Sequence, residues 1–146
     1  MEIRHASVAD IDLLVPLFNA YRKFYQAPTD FDGARRFLME RLEKAQSVVL
    51  LAFEGDAAVG FTQLYPSFSS VSMARIFILN DLFVALEARR AGVGSALLRA
   101  AADYAKSAGA LRLELSTGRV NGTAQAVYER LGWKRDDVFF VYQLPL

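Results

Sequence analysis

Two periodicities divide the chain. Apolar residues three and four apart mark helices, and alternating or unbroken apolar runs mark strands. Glu2 to His5 is a short strand candidate. Ser7 then stands as an N-cap with Asp10 as its capping partner, and Leu14, Leu17, Phe18, Tyr21, Phe24 and Tyr25 line the helix that follows. Pro16 interrupts this pattern and predicts a kink or a short leading turn there. Gln26 to Asp30 reads as a loop, and a second helix runs from about Phe31 to Lys44, its face set by Phe37, Leu38, Arg41 and Leu42. Ser47 to Phe53 reads as a buried strand, Glu54-Gly55-Asp56 as a turn and Ala58 to Tyr65 as the hairpin partner. A serine-rich loop, Pro66 to Ser72, leads into a third strand from Ser72 to Val84, long enough to hold a bulge. Leu97, Leu98, Ala101 and Ala105 mark a third helix, with Gly109 as its left-handed cap. Leu111 to Leu115 alternates as a half-buried strand. Asn121 caps a fourth helix carrying Ala124, Val127, Tyr128 and Leu131, which Gly132 ends. Trp133-Lys134 and Val138 to Leu144 close the chain as β. The order β-α-α-β-β-β-α-β-α-β-β predicts an α/β class, a mixed sheet with helices packed on it.

The connection between the third strand and the third helix carries the chemistry. Arg89-Arg90-Ala91-Gly92-Val93-Gly94-Ser95 places a basic, glycine-containing turn at a helix N-terminus. Side chains are minimal at Gly92 and Gly94, so a ligand can approach the main chain. The first helical turn offers N–H groups without internal partners and the positive end of the dipole, and Arg89 and Arg90 add charge-assisted contacts; together these suit a phosphate. No Lys follows Gly94, so this is not a P-loop, and Leu97 stands where a dinucleotide fingerprint needs its third glycine. From the glycines alone, a turn with no ligand remains an equal reading.

Composition narrows the classes. The chain has 146 residues, 53% hydrophobic, with a net charge of +1. That suits a single domain, here expected over residues 1–146, and gives no electrostatic support for a nucleic-acid or membrane-surface partner. The absence of cysteine excludes disulfides, a thiolate zinc site and a cysteine nucleophile; no metal is expected. Met1-Glu2-Ile3-Arg4-His5 lacks the apolar core of a signal peptide, and no uncharged stretch approaches the ~20 residues needed to span a bilayer, so the expectation is cytoplasmic.

Leu82-Phe83-Val84, Arg89-x-x-Gly92-x-Gly94, Asn121 and Ala126 to Trp133 together resemble the GNAT superfamily of acyl-CoA-dependent N-acyltransferases. The likeness is strong from about Asn80 to Trp133 and rests on element order before that. It implies a mostly antiparallel central sheet splayed between strands 4 and 5 and flanked by about four helices. It also implies acetyl-CoA as cosubstrate, with the pyrophosphate held by Arg89, Arg90, Ala91, Gly92, Val93, Gly94 and Ser95. The pantetheine arm would pair with the backbone of Phe83 and Val84 and bond Asn121, with Tyr128 at the thioester sulfur. Leu79 to Val84 and Gly60 to Tyr65 are further similar to strands of the diamine acetyltransferases, which usually carry Glu where this chain has Asn80. Asn80 cannot take a proton, so Asp81 is the first candidate for proton relay or amine binding and Glu114 the second. A backbone N–H near Val84 is the candidate oxyanion donor. His5, the lone histidine, reads as structural.

The acceptor side is less defined. Phe18, Tyr21, Phe24, Tyr25, Tyr65 and Phe68, with Asp30 and Asp32, combine aromatic faces with carboxylates as a cationic amine requires. Core packing explains most of them equally well. Tyr21, Tyr25, Tyr65 and Asp81 are the substrate-binding candidates. A polyamine, an aminoglycoside, an amino acid or a protein lysine all stay open, as does a module that binds acyl-CoA without turnover. Phe139 to Leu144, with Phe140, Tyr142 and Leu144 on one face, is expected to pair across a homodimer or to lie as a plain edge strand.

Overall fold

β-Branched, aliphatic and aromatic residues concentrate where the chain is extended, and glycines mark where it turns. In a computed structural model describing residues 1–146, the chain divides into two compact units, Met1–Ser116 and Thr117–Leu146. The first contains β1 (Glu2–His5), α1 (Ile11–Phe24), α2 (Phe31–Glu43), β2 (Val48–Glu54), β3 (Ala57–Ser69), β4 (Ala74–Val84), α3 (Val93–Ser107) and β5 (Leu113–Glu114). The second contains α4 (Gly122–Arg130). No helix is long and apolar enough to cross a membrane.

The sheet order is β1-β2-β3-β4-β5. The first four strands pair antiparallel and β5 joins β4 in parallel. Alternation along the strands supplies two apolar faces. Val49, Leu51, Phe53 and Phe61 pack with Ile11, Leu14, Val15, Leu17 and Phe18 of α1 and Ala34 and Leu38 of α2. On the opposite face lies α3, whose Val93, Leu97, Leu98, Ala101 and Ala105 are buried. Gly60 lets α3 come close: a Cβ there would sit 3.2 Å from Val93 Cγ1 and 3.0 Å from the Phe83 carbonyl oxygen.

The capping box at Ser7 and Asp10 forms as expected, around a short 3-10 turn, Val8–Asp10. Asp10 also accepts two hydrogen bonds from Arg4, at 2.8 and 3.0 Å. These bonds, with the Ser7 N–H, hold its carboxyl below the usual range against the opposing cost of burial. Pro16 lies within α1, which continues through it and forgoes one backbone bond there. The serine-rich loop is shorter than expected. β3 runs on through Pro66 to Ser69, and only residues 70–73 turn. Pairing with β2 stops at Leu64, so Pro66 sits where β3 has one neighbour and its missing N–H breaks no ladder.

The expected closing strands do not form. No residue after Glu114 is in a strand; neither Trp133-Lys134 nor Val138 to Leu144 finds a ladder, and a strand without a partner is not stable. In the second unit, the Asn121 side chain accepts from Ala124 N–H at 3.3 Å to cap α4. Gly132, at φ = 95°, turns the chain so that Trp133 N–H reaches the Tyr128 carbonyl at 3.0 Å.

Candidate active site

A bulge in β4 sets the chemistry of the sheet centre. Gln63 pairs with Asp81 and Leu64 with Leu79, leaving Asn80 as the extra residue. Side chains alternate along a strand, so one extra residue inverts every later position. Phe77, before the bulge, contacts the Tyr104 ring of α3 at 5.6 Å. Phe83, six residues on and of equal parity, packs instead with the α1 side of the core. Asp81 turns to that side with it, under α1 and beside Gln63.

There Asp81 is 1% exposed. Its carboxylate accepts from Gln63 Nε2 at 2.7 Å and from Asn80 Nδ2 at 2.8 Å. Burial pushes the Asp81 carboxyl above its ordinary range, and the two amide donors oppose that rise without cancelling it. Tyr65 feels the same pocket: burial first, then the Asp81 charge, pushes its hydroxyl up to about 12. Gln63 Oε1 is buried with no hydrogen-bond partner. Tyr21 O–H donates to the Asn80 carbonyl at 3.0 Å, which hangs the α1 aromatic row over the bulge. Its ring lies 5.9 Å from Phe61 and 5.2 Å from Tyr25, and Tyr25 is exposed.

The other half of the site is the outer edge of β4. Pairing with β5 covers only Phe77 and Ile78, so no strand lies beside β4 from Leu79 to Val84. Ala85 N–H donates back to the Val59 carbonyl at 2.8 Å. Antiparallel alternation then directs the backbone of Asp81 and Phe83 toward β3 and that of Leu82 and Val84 outward. The outward pair is therefore Leu82 and Val84, where the sequence had pointed to Phe83 and Val84. Arg89 Nε donates to the Val84 carbonyl at 3.0 Å, and its guanidinium lies 5.6 Å from the Phe83 ring centre. Arg89 thus braces the strand end through Nε.

Directly beyond, Arg90 takes φ = 67° and Gly92 φ = 80°. Left-handed residues two positions apart, with one residue between them, are the kind of alternation that can aim successive N–H groups at an anion. Arg90 holds this conformation as a non-glycine residue, at a cost typical of functional turns. A Cβ on Gly92 would meet nothing within 4 Å, and one on Gly94 would lie 3.8 Å from Val84 Cγ2. The glycines therefore leave open space over the amides of Val93 and Gly94, at the end of β4. Exposed Ala91 and half-buried Ser95 flank them. These features fit the diphosphate of coenzyme A.

In the second unit, Asn121 caps α4 and Tyr128 lies seven residues on, within the helix. Tyr128 is half-buried with its ring 6.0 Å from that of Trp133. Glu114, the second base candidate, is exposed and accepts from Arg112 Nε at 2.8 Å. Asp30 is committed to capping α2, accepting from Gly33 N–H at 2.9 Å, and Phe18 belongs to the core. Gln63 is a site residue with no motif of its own; adjacent polar residues, Thr62 and Gln63, inside an otherwise apolar strand are its one signal in the sequence.

The model of the acetyltransferase (GNAT) family matches residues 14–133. The chain belongs to that family. An uncharacterized N-acetyltransferase of Bacillus subtilis (strain 168), YhfO, is 51% identical over 99% of this chain and 97% of its own length. A probable acetyltransferase of Haemophilus influenzae is 32% identical over 71% of this chain and 72% of its own. Among solved structures, a probable acetyltransferase superposes with a TM-score of 0.94 at 44% identity, covering 100% of this chain and 98% of the other. The five-stranded mixed sheet with parallel β4 and β5 and four helices is the GNAT fold.

Proposed function

We propose that this GNAT acetyltransferase moves an acetyl group from acetyl-CoA to a primary amine on a small cationic acceptor, by direct attack on the thioester. The observation that carries the reading is the unpaired outer edge of β4 at Leu82 and Val84, running straight into the left-handed turn at the N-terminus of α3. A pantetheine arm has amides to pair with such an edge, and a diphosphate suits the turn.

The acceptor sets the main chemical demand. An alkyl ammonium of pKa ~10 is almost wholly protonated at pH 7, and only the neutral amine attacks. Reaching the free amine costs about 4 kcal/mol unless the site takes up the proton. Asp81, made more basic by burial, is the group we assign to receive it, through the Tyr65 hydroxyl or a water. Tyr21, Tyr25 and Tyr65 offer π-faces to the cation. As the amine nitrogen bonds to the carbonyl carbon, a Leu82 or Val84 N–H bonds the developing oxyanion. The attacking nitrogen gives its remaining extra proton to water, the oxyanion collapses to the amide carbonyl and the C–S bond breaks. Tyr128 keeps the role the family motif suggests, as proton donor to the thiolate.

The test is thiol release from acetyl-CoA across polyamines, aminoglycosides, amino acids and lysine peptides. The chain has no cysteine to react with the thiol reagent. Release dependent on a small polycationic amine is the expected result. Coenzyme A binding with no release for any amine would replace the reading with that of an acyl-CoA-binding module.

A further inference from the structure

The buried polar cluster at the centre of the sheet leaves one atom without a role. Gln63 is wholly buried and pairs directly with Asp81 in the β3–β4 ladder. Its Nε2 donates to Asp81 Oδ2 at 2.7 Å, while its Oε1 has no hydrogen-bond partner. Asp81 is held on its other sides. Asn80 Nδ2 donates to Oδ1 at 2.8 Å, and Thr62 Oγ1 donates to the Asp81 carbonyl at 2.8 Å. The carboxylate therefore stays in place, and adjustment falls to the Gln63 amide.

A proton acceptor is neutral for part of each turnover. An N–H bond of the ammonium breaks, its electron pair stays on nitrogen, and an O–H bond forms on the carboxylate. A fixed cation or a backbone N–H beside that carboxylate favours the charged form and opposes the step. A primary amide differs, because it carries a donor and an acceptor on one planar group and its terminal torsion is broad and roughly two-fold. Half a turn exchanges Nε2 for Oε1. Because Oε1 bonds nothing, the turn breaks only the bond to Asp81 and replaces it with another.

The titratable and charged groups facing this cluster come from β3, α1 and α2. Tyr65 feels the Asp81 charge, after burial, and its hydroxyl is pushed up to about 12. Tyr21 of α1 donates to the Asn80 carbonyl. Arg41 of α2 acts on Tyr65 and pairs with Glu40. Tyr65 stands two residues from Gln63, on the same face of β3, so a proton handed on through it arrives on the Gln63 side of the carboxylate.

We propose that Gln63 is the positioning residue of Asp81 and stays bonded to it in both protonation states. Nε2 donates to the carboxylate. When Asp81 takes the proton at Oδ2, the amide turns over and Oε1 accepts from the new hydroxyl. After the product departs, the proton leaves to water and the amide turns back. Asp81 is thus held in one place through the cycle without being locked in its charged form. This inference rests on the proton role proposed above for Asp81.

Proton–nitrogen NMR of the Gln63 side-chain amide, followed with pH beside the Asp81 carboxyl carbon, reads the turn without substrate. Above the Asp81 midpoint one Nε2 proton is bonded to Oδ2 and should lie well downfield of the other. Below it the two should draw together upfield, with the same midpoint as the Asp81 carbon. In Asp81→Asn the amide should hold the low-pH pattern at every pH. Gln63→Met, with neither donor nor acceptor, should raise the Asp81 midpoint by about one unit, since the charged form loses the stronger bond. The acid limb of kcat/KM should move with it, and the KM for the amine should not change, because Gln63 is out of reach of the acceptor. A downfield Nε2 proton that persists below the midpoint would overturn the inference and leave the proton role of Asp81 standing, with Gln63 a fixed donor and the proton on the Asn80 side. A carbon midpoint that moves in Gln63→Met while the limb stays would remove the proton role itself, and Gln63's part in the reaction with it. The wild-type resonances decide the turn even where Gln63→Met fails to fold.

Discussion

Replacing Asp81 by Asn separates chemistry from stability. The substitution is isosteric at a site where the side chain is 1% exposed. The carboxylate accepts from Gln63 Nε2 and Asn80 Nδ2. The new carboxamide has one acceptor oxygen and one NH2 group. Its oxygen keeps the bond from Asn80. Its NH2 faces Gln63, whose amide, turned over, presents the Oε1 that is now buried without a partner. Both bonds survive, and the cost of burying a charge is removed. Losing charge assistance costs roughly 1 kcal/mol per bond, and relief from the burial that raises the Asp81 pKa works against that loss. The net change at pH 7 should stay within about 1 kcal/mol, a Tm shift of no more than ~4 °C for a chain of this size.

The pH dependence has a definite sign. The folded pKa of Asp81 lies above its ordinary 3.8, so its contribution to stability is fully present below 3.8 and is lost as pH rises through the folded value. Wild type should therefore gain on Asp81→Asn as the pH is lowered toward 4. Activity should respond differently. Loss of a positioned proton acceptor costs about 10²–10⁴ in rate. In wild type, kcat/KM should fall on the acid side through a pKa above the usual carboxylate range, and that limb should vanish in Asp81→Asn. Calorimetry and a pH–rate profile measure both. Wild-type kcat/KM in the variant would refute the proton role. A loss above about 3 kcal/mol would show instead that the charge holds the sheet together.

Gly92→Val places a β-branched residue at φ = 80°, costing about 1–2 kcal/mol of stability, and puts bulk over the amides of Val93 and Gly94; titration calorimetry should show coenzyme A affinity reduced at least 10-fold, and unchanged affinity would dismiss the phosphate turn. Tyr128→Phe should lower turnover about 10²-fold at neutral pH with coenzyme A affinity little changed, and full turnover would remove the acid role. Asp10→Asn disturbs the capping box and the Arg4 pair, for a loss of about 1–2 kcal/mol at pH 7. Since the Asp10 carboxyl is held below 3.8, its contribution is present above that pH and lost as pH falls through the folded value, so denaturation curves of wild type and variant should converge in acid.

Punctuation was the legible part of this chain. Gly55, Gly92, Gly109 and Gly132 each take a positive φ, and each ends or begins an element where the sequence placed a turn or cap, because only a local conformational demand decides those positions. The register of the bulge was not legible. Ile76 to Leu79 is apolar at every position, so nothing local says that Phe77 faces α3 while Phe83 faces α1. That inversion is settled by tertiary packing, and with it the burial of Asp81 beside Gln63. The same cause exchanged Phe83 for Leu82 at the outward backbone edge. The closing strands were misread for a related reason: their alternation describes what the segment suits, but a strand exists only beside another.

Coenzyme A is proposed to bind the outward amides of β4 and of the first turn of α3. Backbone amide resonances followed during titration with coenzyme A test this most directly. The largest shifts are expected at Leu82, Val84, Val93 and Gly94, with slowed hydrogen exchange at the same groups and little change at Phe83. Saturable binding that leaves those four amides unmoved, or no binding at all, would contradict it.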